Sequence, residues 1–146
     1  SRAQIDSYIG RISGPLLDRI DIIADVPSLD FDDLSRKPSG EPSAAIRKRV
    51  IAARSFARDR YARYGLDEIT ANAHLPSHLI QEFCKPDPSG LELLRSAFDR
   101  LGLTARSYDR VLRIARTIAD LEASAEIRAH HIAEALQFRN AGGKAL

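Results

Sequence analysis

The sequence predicts a mainly α chain: a bundle of four to five helices over residues 43–140, preceded by a short helix and one strand remaining from an α/β layer. Three observations predict it. Apolar residues after Ser43 recur at spacings of three and four, the period of a helix with one buried stripe. Gly65 and Gly102 stand where two such stripes end, and glycine is the commonest closing residue of helices. The apolar run Ile22-Ile23-Ala24 reads as a strand buried on both faces, yet no second strand exists to pair with it.

Taken in order, a helix is expected from Gln4 to Ile12, then a Ser13-Gly14-Pro15 turn and the apolar strand. Pro27 ends the strand because proline has no N–H to give to a ladder. A lone strand is unstable in water, so residues 1–27 are expected to be the torn edge of an α/β domain lying upstream. Residues 28–42, rich in Ser, Asp, Pro and Gly without periodicity, predict a linker. The body follows over 43–140. Ser43 is expected to cap the first helix, with Ile46, Val50, Phe56, Ala57, Tyr61 and Tyr64 inward. A short second helix runs from Pro76 to Phe83 and is broken by Lys85-Pro86-Asp87-Pro88. Leu91, Leu94, Phe98 and Leu101 define a third. Thr104 caps a fourth whose inner face is Tyr108, Val111, Leu112, Ala115, Ile118 and Ala119. The fifth covers Ala129 to Arg139, with Ile132, Ala135 and Leu136 inward. Residues 141–146 are expected to be a disordered tail.

Size and composition fit a globular domain that needs no metal or disulfide, since a chain of 146 residues buries roughly 70% of its unfolded surface. One cysteine, Cys84, excludes an internal disulfide and favours a cytoplasmic protein. No membrane-length apolar run and no leader are visible. The chain starts at Ser1 and has no methionine, so a piece of something longer is expected. Its net charge of +2 is unevenly placed: residues 43–64 carry seven basic side chains (Arg47, Lys48, Arg49, Arg54, Arg58, Arg60, Arg63) against Asp59 alone. Such a segment suits an anionic partner or a solvated face.

A self-contained nucleotide hydrolase needs a phosphate-cradling G-x-x-x-x-G-K-[ST] loop, and none is present. Two arginines nevertheless stand where phosphate would be met. Arg19 lies directly before the apolar run, either paired with Asp18 or Asp21 or waiting for an anion. Arg106 falls in the first turn of the fourth helix, where the macrodipole disfavours a cation by about 0.3–1 kcal/mol. An anion docked at that N-terminus would reverse the sign; an exposed arginine at small cost is the plainer alternative. Arg110, Arg113 and Arg116 are placed on the outward face of the same helix, where Arg110 and Arg113 have the option of assisting Arg106. His130 and His131 project about 100° apart, which argues against a shared metal; one caps or pairs locally and the other is exposed. Cys84, without a neighbouring base, is expected to be a semi-buried structural thiol. Asn72 is read as initiating a turn.

The stretches "RISGPLLDRIDIIADVP" (Arg11 to Pro27) and "LTARSYDRVLRIARTIADLEAS" (Leu103 to Ser124), with "HHIAEALQFR" after them, resemble the C-terminal part of the magnesium-chelatase-like AAA+ ATPases, closest to the ComM/YifB group. The resemblance implies a helical lid bundle preceded by the remnant of the α/β core, in a ring, usually a hexamer, with ATP and Mg²⁺ bound between subunits of the full-length protein and none bound by this piece alone. Arg19 then matches the arginine finger acting on a neighbouring subunit's nucleotide, Asp18 its support, and Arg106 the lid arginine called sensor 2, with Arg110 a weaker ATP-binding candidate. It implies DNA remodelling in natural transformation, with Arg47, Lys48, Arg54 and Arg58 as candidate DNA contacts. A magnesium chelatase subunit serving metal insertion into protoporphyrin is the rival, and a non-catalytic helical module binding nucleic acid or protein is the third alternative.

Overall fold

A computed structural model describes Ser7, residues 19–24, 26–28, 30 and 31, Ser35 and residues 40–138. Five α-helices have described bounds: α1 (Ser43–Ala62), α2 (Ser77–Phe83), α3 (Pro88–Leu101), α4 (Ala105–Leu121) and α5 (Ala129–Gln137), with a 3₁₀ turn at Asn72–His74 before α2. The mainly helical class is therefore as expected. The expected helix from Gln4 to Ile12 apart from Ser7, the Ser13-Gly14-Pro15 turn, Asp18 and residues 139–146, including the expected tail, lie outside the described residues.

Helix α4 is the axis of the bundle. It packs against α5, α1, α2 and the 3₁₀ turn, while α3 packs on α5. The reason is its sequence: Val111, Leu112, Ala115, Ile118 and Ala119 form one stripe, and all five are buried. Facing them are Tyr61 from α1, Ile80 from α2, Leu94 from α3, and Ile132, Ala135 and Leu136 from α5. Each large aliphatic chain so buried contributes about 1.5–3 kcal/mol. Tyr108 is only half-buried, edge-on to Phe98 with ring centroids 6.4 Å apart.

Local chemistry sets the helix ends. Asp87 caps α3 by accepting from the Gly90 N–H at 2.6 Å, and Pro88 follows where no N–H is wanted. Gly102 closes α3 at φ 60°, a left-handed conformation costly for side chains with a Cβ. Thr104 caps α4, its Oγ1 accepting from the Ser107 N–H at 3.1 Å. The loops before α3 and α5 touch through the Asp87 N–H to Ile127 carbonyl bond at 2.8 Å.

Three expectations are corrected. Ile22–Ala24 forms no strand; among the described residues there is no sheet, and Ile20 and Ile22 are 39% and 54% exposed. Without a ladder partner the run has no strand geometry to adopt. Ser43 does not cap α1: Pro42 is the N-cap residue, without a side-chain bond, and Ser43 is already helical. The N-terminal half of α1 is also bare. Ala53, Ala57 and Tyr61 are buried, but Ile46 and Val50 are exposed, because no described element covers their continuation of the stripe; Tyr64, just past the helix, is exposed with its ring edge-on to Phe83, centroids 5.0 Å apart. Phe31 and Ser35, within the expected linker, carry helical backbone.

Candidate functional site

The N-terminus of α4 is built by Gly102, which turns the chain, by buried Leu103, which anchors it, and by the Thr104 cap. That leaves Arg106 exposed in the first turn, with Arg110 and Arg113 following at helical spacing. These three arginines, with Ser77, Ala105 and Asp109, line a groove of about 360 Å³. Three arginines thus line the groove with Asp109 as the one lining carboxylate. Arg113 is fixed by donating from Nε and Nη2 to the Leu75 carbonyl at 3.2 and 2.9 Å, so it is half-buried rather than on the outward face. Arg110 Nη1 lies 2.9 Å from the Asp21 carboxylate. Arg106 makes no ion pair with a described residue. Such a groove, cationic and set at the N-terminal end of a helix, is suited to a phosphate.

Arg19 stands exposed in a turn two residues before Asp21. Beyond Asp21, the Ile23 N–H donates to the Phe138 carbonyl at 2.9 Å. Asp21 and Ile22 consequently border a second cavity of about 420 Å³, whose walls include Arg110, Ile118, Leu121 and Phe138. The structure therefore brings the segment carrying Arg19 against the helix carrying Arg106. Arg47, Lys48, Arg54 and Arg58 are all exposed on α1, and none lines the Arg106 groove. Of the other basic residues in that segment, Arg49 is held by Glu41 at 2.7 and 3.0 Å, and Arg60 pairs with Asp120.

A buried polar network lies beneath α4, and the sequence did not point to it. Arg116, expected outward, is 2% exposed. Its Nε donates to Asp120 at 3.1 Å, and its terminal nitrogens donate to the carbonyls of Ser124 and Ala125. Asp120 also accepts from Asn72 Nδ2 at 2.8 Å and from Arg60. Asn72 in turn accepts from the Tyr61 hydroxyl at 2.6 Å, so it does more than start the 3₁₀ turn. The charges are buried together because each is neutralised and fully bonded. Burial pulls the Arg116 pKa down while Asp120 opposes the shift, and pushes the Tyr61 hydroxyl up to about 12. One signal was available: Arg116 and Asp120 stand at i, i+4 on one face of α4, the spacing at which two such side chains pair.

Glu122, His130 and His131 are the one group of three candidate metal ligands among the described residues. Contrary to the angular argument, both histidine Nε2 atoms lie 3.0 Å from the same Glu122 oxygen, with ring centroids 3.9 Å apart. Tautomers decide its role. His131 Nδ1 accepts the Arg128 N–H at 2.9 Å, so its Nε2 carries the proton and points it at Glu122. Ligation through that Nε2 would require surrendering the cap. The cluster is a clasp joining the end of α4 to the start of α5, with His131 capping and His130 exposed but paired. It offers nitrogen donors and one carboxylate, a poor match to the all-oxygen demand of Mg²⁺. Cys84 is fully buried and its thiol is pushed up to about 12 by burial, an inert structural group as expected.

Comparison with known proteins finds a match over residues 40–139 to the family described as magnesium chelatase, subunit ChlI C-terminal, and over residues 1–34 to magnesium chelatase, subunit ChlI. Competence protein ComM of Haemophilus influenzae is 38% identical over 140 residues, covering 95% of this chain and 26% of that protein. The uncharacterised protein YifB of Salmonella typhimurium is 37% identical over 135 residues, covering 90% of this chain and 25% of its own length. That of Escherichia coli is 37% identical over 133 residues, with the same two shares, 90% and 25%. The chain thus spans about a quarter of the length of these curated relatives.

Proposed function

We propose, from the premise that this chain belongs to the magnesium chelatase subunit ChlI C-terminal family, that it is the lid and sensor portion of a ring-forming AAA+ ATPase of the ComM type. The observation that carries the reading is the groove at the α4 N-terminus, where Arg106 stands without a described ion-pair partner beside Arg110 and Arg113. In a closed ring Arg106 would bind a nucleotide phosphate as sensor 2, and Arg19, with Asp18 in support, would reach the γ-phosphate held by the next subunit. An arginine finger stabilises the charge of the transferring phosphoryl group and is worth about 10³–10⁵ in rate, roughly 4–7 kcal/mol of barrier. Lysine would serve poorly, lacking the planar fork.

The cationic groove suits a phosphate of ATP. Mg²⁺ does not fit the described donor sets of this chain, and its ligands belong with the phosphate-cradling loop that this sequence lacks. The work done on ATP is proposed to be DNA remodelling, as in branch migration during natural transformation. Support for the DNA partner is the helix α1, where Arg47, Arg54 and Arg58 recur at i, i+7 and i+11 on one exposed stripe with Lys48 nearby. The cytoplasm is the proposed location; no helix among the described residues is long and apolar enough to cross a membrane.

The test is made in the full-length ring. Arg19→Ala is expected to abolish hydrolysis while ATP still binds, and Arg106→Ala to weaken nucleotide binding. Normal turnover by Arg19→Ala would remove the finger assignment. Steady ATPase activity from the 146-residue chain alone would overturn the dependence on an upstream core.

A further inference from the structure

Arg110 borders both cavities, the groove at Arg106 and the apolar pocket behind Asp21 and Ile22. It stands one helical turn after Arg106 and is 2.9 Å from the carboxylate of Asp21, which follows Arg19 by two residues. Two residues of backbone reach at most about 7 Å, so the turn carrying Arg19 cannot wander far from this contact. A second anchor lies on the far side of Ile22: the Ile23 N–H to Phe138 carbonyl bond, 2.9 Å, fastens the segment beyond the end of α5. Helices α4 and α5 are packed against each other through the core, so the two anchors refer the segment to one body.

We propose that the Asp21–Arg110 ion pair is a positioning contact that ties the Arg19 turn to the sensor helix, so that a tilt of α4 on phosphate binding is carried to the finger. The inference rests on the reading of Arg19 and Arg106 given above, and makes Asp21 a residue that acts through them without touching nucleotide. It also gives the tie a direction of control. A guanidinium has five donors and two edges. A phosphate in the groove and the Asp21 carboxylate both draw on Arg110, so loading the groove loosens or re-aims the tie. A half-exposed pair of this kind changes an equilibrium by about twofold to fivefold, enough to bias a finger between two positions without locking it.

Two measurements test it, arranged to fail separately. In this chain, hydrogen exchange at the Ile23 amide is expected to quicken about twofold to fivefold in Asp21→Asn, return to the parental rate in Asp21→Glu, and leave the Cys84 amide of the core unaffected. In the full-length ATPase, Asp21→Asn is expected to lower kcat by a similar factor with the KM for ATP unchanged, Asp21→Glu restoring it; a merely structural defect would move both parameters and the exchange of Cys84. Equal Ile23 exchange in parent and Asp21→Asn overturns the tie itself. An unchanged kcat in Asp21→Asn, in a ring where Arg19→Ala abolishes hydrolysis, overturns the coupling alone. If Arg19→Ala is active, the finger reading falls and the coupling falls with it.

Discussion

Asp120 is the hub on which the position of α4 depends, and its removal has a calculable effect. The carboxylate accepts from Arg116 Nε at 3.1 Å, from Asn72 Nδ2 at 2.8 Å and from Arg60, and it is 3% exposed. Asp120→Ala leaves Arg116 charged at 2% exposure with only the Ser124 and Ala125 carbonyls as partners. Removing one partner of a buried pair costs about 3–5 kcal/mol, against a total of about 5–15 kcal/mol for a domain. Asp120→Asn keeps one acceptor and the volume while losing the charge, so its cost falls to about 1–3 kcal/mol. The assay is urea unfolding followed by far-UV circular dichroism. With a slope of about 1–3 kcal/mol/M, Asp120→Ala should lower the midpoint by about 1 M or more, and Asp120→Asn by less. Glu41→Gln, at the exposed Arg49 pair, serves as the control and should match the parent. A midpoint for Asp120→Ala within the scatter of the parent, at unchanged slope, would show that Arg116 finds solvent or another acceptor, and the network would not be what holds α4.

Three further outcomes are expected. Gly90→Ala places a Cβ 2.9 Å from Asp87 Oδ1 and 3.1 Å from the Pro86 Cβ, so despite alanine's helix propensity it should cost about 1–2 kcal/mol by disturbing the α3 cap; a neutral or stabilising result in thermal melts would refute this. Cys84 should resist thiol-labelling reagent at pH 8 in the native chain, since burial holds its pKa up to about 12, and react fully once unfolded; fast native labelling would contradict the burial. Hydrogen bonds from His130 first and His131 next hold the Glu122 carboxyl below its ordinary value of 4.5. A lowered folded pKa contributes stability above the unfolded value that is lost as pH falls through the folded one. The parent's thermal advantage over Glu122→Gln should therefore be present at neutral pH and shrink below pH 4.5; an advantage independent of pH would refute the clasp.

The helices were legible because their signals are local. Thr104 and Gly102 act on backbone within four residues, and the α4 stripe from Val111 to Ala119 has one period throughout. The run at Ile22 satisfies a strand pattern, but a strand also needs a partner, and among the described residues none is there to give it one. The bare stretch of α1 failed for the same reason: Ile46 and Val50 keep the period, but period says which face would be buried and not whether anything buries it. At the candidate site, Arg106 was placed by its position in the first turn. Arg116 was misplaced because two of its acceptors, the carbonyls at 124 and 125, lie past the end of α4, and because its helical partner Asp120 is covered by Asn72 and Arg60 from other segments. The histidine clasp was missed because ring nitrogens lie far enough from Cα to converge from adjacent positions.

The uncovered part of α1 has a thermodynamic consequence. Residues 43–52 are all exposed, so about 15 Å of helix extends beyond Ala53 with no buried apolar face, sustained by its backbone bonds, its side-chain preferences and the exposed Arg49–Glu41 pair. Helices that short are marginal in water unless packing assists them. The ellipticity of the isolated chain should thus rise when that end is covered, and the conformational entropy surrendered on ordering will make any such attachment weaker, and quicker to release, than its contact area suggests.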